Sequence, residues 1–202
     1  MKQAAHAAIV IWALLLASAL ALPWLVDADN AGDDLIRYTI RLSLSFYAAA
    51  LALMLFLRPI EWTGVDRGGL TRWCWSLAWA AYLVHLAMAF HFYHGWSHAD
   101  AIRHTEEVSG FGPGIYISHF FTLVWTLDVL LWWLWPTVYA SRPIWIGRTL
   151  HAFMVFIAFN GTVIYETGPI RAAGIIVSIA LAILWFFSRQ KLYSAITSKA
   201  DS

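Results

Sequence analysis

Six runs of about 20 mostly apolar residues, separated by short stretches that hold most of the charge, decide what this chain can become. A helix needs about 20 apolar residues to cross the hydrocarbon core of a bilayer. Hydrocarbon offers backbone groups no partners, so only helices and closed barrels span it. Barrel strands would alternate polar and apolar residues over about 10 positions, and these runs do not. The sequence therefore predicts an all-α polytopic transmembrane helix bundle, one integral membrane domain over residues 1–202. The spans are expected near residues 7–26, 36–57, 73–93, 115–135, 144–165 and 170–187. The lipid bilayer is the first partner implied.

Composition agrees. Of 202 residues, 61% are apolar and 12% are charged, against about 25% charged in a soluble domain. A net charge of +1 and the lack of a basic tract give no reason to expect nucleic acid. The single cysteine, Cys74, excludes an intrachain disulfide and any CxxC pair. No soluble stretch is long enough for a flavin or nicotinamide domain.

The first run has a second reading. Lys2, an apolar stretch and ASALALP resemble a signal peptide with a small-residue cleavage site. The run continues through Trp24 to Val26 and is read as retained. Cleavage would leave five spans.

Orientation follows from Lys and Arg in the loops. Lys2, Arg58, Arg67, Arg72, Arg142, Arg148, Arg189, Lys191 and Lys199 fall on one side; Arg37, Arg103 and Arg171 fall on the other. Both termini are thus expected in the cytoplasm, with the cytoplasmic (inner) membrane as the location. The histidine-rich end would face the exterior or periplasm. Tryptophans, thirteen in all, are read mainly as interfacial anchors, with Trp62, Trp73, Trp75, Trp132, Trp133, Trp135 and Trp145 on the inner side. The loop over residues 95–114 should hold a short helix, capped by Ser97 with Asp100 and supported by an Arg103–Glu107 pair.

That loop and the span before it concentrate the ligand chemistry. Residues 82–114 read YLVHLAMAFHFYHGWSHADAIRHTEEVSGFGPG and hold His85, His91, His94, His98 and His104. At about 100° per residue, a helix running through His98 would place His91, His94 and His98 within one 60° arc. Three imidazoles on one face suit zinc, copper or iron. Gly95 is the point at which that register would break. His119, on the next span, should approach His94 or His98. Glu106 and Glu107, with Asp100, would add oxygen ligands, or else form a solvated helix face. Deeper in the bundle lie His85, Asp128 and His151, where ionisable groups are costly and usually functional. His85 and His151 could ligate haem b across two spans, with Asp128 as a proton carrier or a partner of either histidine. Asp128, Glu106 and Glu107 are thus the candidate catalytic groups. A satisfied structural hydrogen bond is the alternative for Asp128. Asn160 is expected to bond a neighbouring helix.

Two resemblances follow from these segments. HFYHGWSHADAIRHTEEVSG, LVWTLDVLLWWLW and RPIWIGRTLHAFMVFIAFNGTVIY resemble an uncharacterised family of bacterial membrane proteins, which brings no function with it. The span order, LFLRPI and GRTLHAF resemble ferric-reductase-like transmembrane domains. That resemblance implies haem b held by His85 and His98 on one span and His151 on another. The second histidine of the later span should fall near Ile164 and is absent, unless His119 substitutes. Three function classes stay open: a membrane oxidoreductase fed by quinol or a membrane redox partner, a metal-dependent membrane hydrolase or hydroxylase, and a non-catalytic membrane subunit.

Overall fold

The computed structural model describes residues 2–200, with side chains described for residues 3–58 and 61–188. Among these residues the chain forms eight α-helices and no strand. In order they are α1 (Lys2–Val26), α2 (Ala31–Met54), α3 (Arg67–Phe92), α4 (His98–Ser109), α5 (Gly114–Leu134), α6 (Pro136–Ser141), α7 (Ile144–Phe159) and α8 (Gly168–Ala200). Short 3₁₀ turns lie at Ala28–Asn30 and Pro59–Thr63, and α7 runs on into a π-helical turn, Asn160–Ile164.

Five segments are long and apolar enough to cross a membrane: Gln3–Val26, Arg67–Phe92, Gly114–Leu134, Ile144–Ile164 and Gly168–Ser188. The chain is thus built as a multi-pass membrane protein. The span expected at residues 36–57 is realised as α2, 24 residues long, but it does not join those five. Arg37, Arg41 and Ser45 interrupt it at four-residue spacing, which sets all three on one helix face. The other face is buried, through Leu35, Ile36, Thr39, Leu42, Ser43, Tyr47 and Ala50. It packs chiefly on α3, and Ser43 donates to the Ala78 carbonyl across that contact at 2.8 Å.

The core lies between α2, α3 and α5. Tyr47, Trp75, Tyr82 and Trp125 stack there with ring centroids 5.3 to 5.6 Å apart. Trp75 and Trp132 are completely buried, which corrects their reading as interfacial anchors. Depth along a helix assigned them to the interface, but they face neighbouring helices rather than lipid. Trp24, Trp96, Trp135 and Trp145 are exposed as anchors should be. By contrast α8 presents no fully buried side chain over its membrane segment, and Ile176, Ile179, Ile183 and Trp185 are open. These apolar faces are compatible with bilayer contact.

Local signals set the helix ends. Gly95 and Trp96 take positive φ values of 50° and 62° and stop α3. Ser97 then caps α4, its hydroxyl accepting from the Asp100 amide at 3.2 Å. Gly110, at φ 74°, ends it in the left-handed conformation. Arg103 pairs with Asp100 at 2.8 Å and Glu107 at 4.0 Å on its outer surface. Arg171 at the start of α8 donates to the Val163 and Ile164 carbonyls (2.7 and 3.1 Å) of the π turn. That contact ties α8 to α7.

Candidate functional site

His91, His94, His98, His104 and His119 gather at the α4 end of the bundle, His85 and His151 are half-buried single residues deeper in it, and His6 lies apart on α1. Because α3 stops at Phe92, His98 belongs to α4, and the single-face arrangement of His91, His94 and His98 does not form. Instead His94 meets His104 (centroids 5.3 Å apart) and His98 stacks on His119 at 5.2 Å. Phe90 lies between the two pairs, 5.3 Å from His94 and 6.2 Å from His119. The expected approach of His119 to His98 is present, while His91 packs on Phe92 and lies exposed. Among the described residues no group of three or more His, Cys, Asp or Glu side chains converges as a metal site requires. Glu106 and Glu107 are exposed on α4.

His94 is 7% exposed and its Nδ1 has no partner. Burial holds its pKa below the ordinary imidazole value, His104 adds to that, and Asp100 partly opposes it.

Deeper in the bundle the groups do other work. His85 Nδ1 lies 3.0 Å from the Ile36 carbonyl. A carbonyl only accepts, so Nδ1 carries the proton and Nε2 is left as the acceptor of the neutral ring. His151 packs edge-on against Trp75 at 5.4 Å. From His85, ring contacts run through Tyr82, Trp125 and Trp75 to His151, with successive centroids 6.3, 5.5, 5.3 and 5.4 Å apart. Those rings fill the space that a macrocycle bridging the two imidazoles would need, so the residues do not fit a haem there.

Asp128 pairs with neither histidine. Its carboxylate accepts from Arg142 at 2.6 Å, Trp75 Nε1 at 3.0 Å and the Tyr139 hydroxyl at 3.1 Å. Tyr139 in turn stacks on Trp132 (4.5 Å, 2°) and lies under the Arg142 guanidinium at 3.8 Å. Burial, then the Asp128 charge, raises the Tyr139 pKa well above the phenol range, and Arg142 opposes this. The arrangement is a fully satisfied clamp joining α3, α5, α6 and the start of α7, the structural alternative for Asp128. Asn160 bonds the Phe156 carbonyl of its own helix rather than a neighbour, at 2.7 Å.

A cavity of about 560 Å³ opens in the half of the bundle that carries the histidines. It lies between α2, α3, α5, the π turn and the start of α8, and its size is that of a small-molecule site. Arg37, Arg41, His85 and Glu166 line it along with Tyr47 and Trp125. Tyr47 Oη and Trp125 Nε1 are buried with no hydrogen-bond partner. Orphaned donors of this kind are rare in native interiors and ask for an explanation. The π turn contributes Gly161 and Thr162, and such turns are frequent at functional sites. Sequence reasoning singled out His85 but missed Tyr47 and Trp125, which read only as apolar span residues.

No protein-family model matches this chain, and no curated protein or solved structure is significantly similar to it. The resemblance to ferric-reductase-like domains gains nothing from the folded chain, and the expected haem, metal and redox chemistry finds no support in the arrangement of the described side chains.

Proposed function

We propose that this protein is a multi-pass membrane protein of binding type, which takes a lipophilic small molecule with a polar head into the cavity between α2, α3, α5 and α7. One observation carries the reading. Tyr47 Oη and Trp125 Nε1, both buried and unpartnered, belong to residues that line the same cavity. An unmet buried donor costs about 1–3 kcal/mol, and a bound acceptor would remove that penalty. His85 and Arg41 add an acceptor and a cation to this lining, beside the charged Arg37 and Glu166 and apolar walls such as Ile40, Leu44, Phe121 and Ile157. With α2 counted as a sixth crossing, the charge bias of the loops favours the outer half of the inner membrane for the cavity and the histidine pairs, and the cytoplasm for both termini.

The test is the full chain purified in mild detergent, solvent-extracted and analysed by mass spectrometry for co-purifying small molecules. An Ala158→Phe variant, which places a ring in the cavity wall, is processed in parallel. One lipophilic species near stoichiometric amounts in the wild type and depleted in the variant is expected. Recovery of bulk lipid alone, or equal recovery from both proteins, would refute the reading.

A further inference from the structure

A second, smaller cavity bears on what the occupant is. It is a groove of about 220 Å³ between α2, α7 and α8, walled by apolar side chains such as Leu51, Val155, Ala173 and Leu181. Arg41, Leu44, Tyr47 and Ala158 line both cavities, so the groove leaves the larger chamber beside Arg41. Its walls hold almost nothing polar beyond Arg41, Ser45, Thr162 and Ser178.

Arg41 is unusual in its surroundings. One turn before it, Arg37 is engaged by Asp33 and Asp34 at 4.0 and 3.7 Å. Arg41 makes no ion pair among the described residues, and its guanidinium rests over the Tyr38 ring at 5.7 Å. Arg41 is exposed and lines both cavities, which leaves its guanidinium open to an anionic head group. Glu166 also lines the chamber but is exposed and pairs with no arginine among the described residues.

Resting on the binding function proposed above, we infer that the occupant is a long-chain carboxylate, its head at Arg41 in the chamber and its single hydrocarbon tail in the groove. One unpaired guanidinium matches one negative charge, and its planar fork matches a carboxylate bidentately. The remaining lone pairs of that carboxylate can accept from the orphaned Tyr47 hydroxyl and Trp125 N–H. The groove that shares Arg41 with the chamber is narrow and apolar, the shape that suits a single chain.

Binding to the full chain in detergent, measured by calorimetry, tests this with four probes. They are a long-chain fatty acid, the alcohol and the phosphate monoester of equal chain length, and butyrate. The fatty acid should bind about tenfold tighter than the alcohol, the margin of a charge-assisted over a neutral hydrogen bond. Arg41→Gln should abolish that margin while leaving alcohol binding unchanged. Shortening the tail should weaken binding about fourfold per methylene, and butyrate should not bind measurably. Equal binding of acid and alcohol, a margin that survives Arg41→Gln, or tighter binding of the phosphate ester would overturn the carboxylate and leave the chamber reading intact. Butyrate binding as well as the long acid would overturn the groove. If no probe binds and nothing co-purifies, both readings fail. Should Arg41→Gln not fold, the acid-to-alcohol ratio on the wild-type chain decides alone.

Discussion

The Asp128 clamp offers the sharpest quantitative test of how this bundle is held together. The carboxylate side chain is 1% exposed and Arg142 is 12% exposed, so solvent screens their attraction little. Arg142→Met leaves a buried carboxylate with two neutral donors, Trp75 and Tyr139. Removing one side of a buried ion pair costs about 3–5 kcal/mol. Asp128→Leu strands the guanidinium and both neutral donors, each of which costs about 1–3 kcal/mol when unmet, so its loss is at least as large. The double variant Asp128→Leu with Arg142→Met removes both charges together. Its cost should fall short of the sum of the two single losses by about 2 kcal/mol or more. Cys74 makes the measurement direct. It is the chain's one cysteine and is 6% exposed, so a thiol-reactive fluorophore reports unfolding as temperature rises. At about 2–4 °C per kcal/mol for a chain of this size, each single variant should lower the midpoint by about 10 °C. Single losses under about 1 kcal/mol, or strict additivity in the double variant, would show that the clamp does not hold the fold and would return Asp128 to the candidate catalytic groups.

Two further outcomes follow from local geometry. A Cβ at Gly68 would overlap the Glu61 carbonyl oxygen, a backbone atom that cannot rotate away; Gly68→Ala should therefore cost about 1–3 kcal/mol, read by the same thiol assay. For His94 the sign is set by its depressed pKa. The unfolded chain binds its proton more readily, so the contribution is intact at neutral pH and is lost as pH falls below about 6.5 toward the depressed value. Hydrogen exchange across α4 should accelerate over that window, and His94→Gln should flatten the response.

Much of the fold was legible because hydrophobic run length is a one-dimensional signal. The α4 cap at Ser97 was readable for the same reason, since capping needs only neighbours in sequence. The candidate site was legible only in part. His119 was expected to approach His94 or His98 and meets His98, because a short connection forces α4 and α5 together. The His91, His94 and His98 arc depended on a helix crossing Gly95, and the positive φ at Gly95 and Trp96 ends it. Asp128 was recognised as a buried charge, but its partner is Arg142, across the turn that begins at Pro136, rather than a histidine. Tyr47 and Trp125 became interesting only once packing left their polar atoms without partners, which no sequence pattern records. The distinction between Trp75 in the core and Trp145 at the surface depends on which way each helix turns, and thirteen tryptophans blur any such reading.

The stack of Trp75, Trp125, Tyr47 and Tyr82 has an optical consequence. Two indoles with centroids 5.3 Å apart and planes inclined at 50° are close enough to share their excited states. Their near-ultraviolet dichroism should be a coupled, two-signed band rather than the sum of isolated chromophores. Trp125 and Tyr47 also line the large cavity, so anything entering it alters that coupling. The protein therefore carries a built-in reporter of its own occupancy, readable without label or tag.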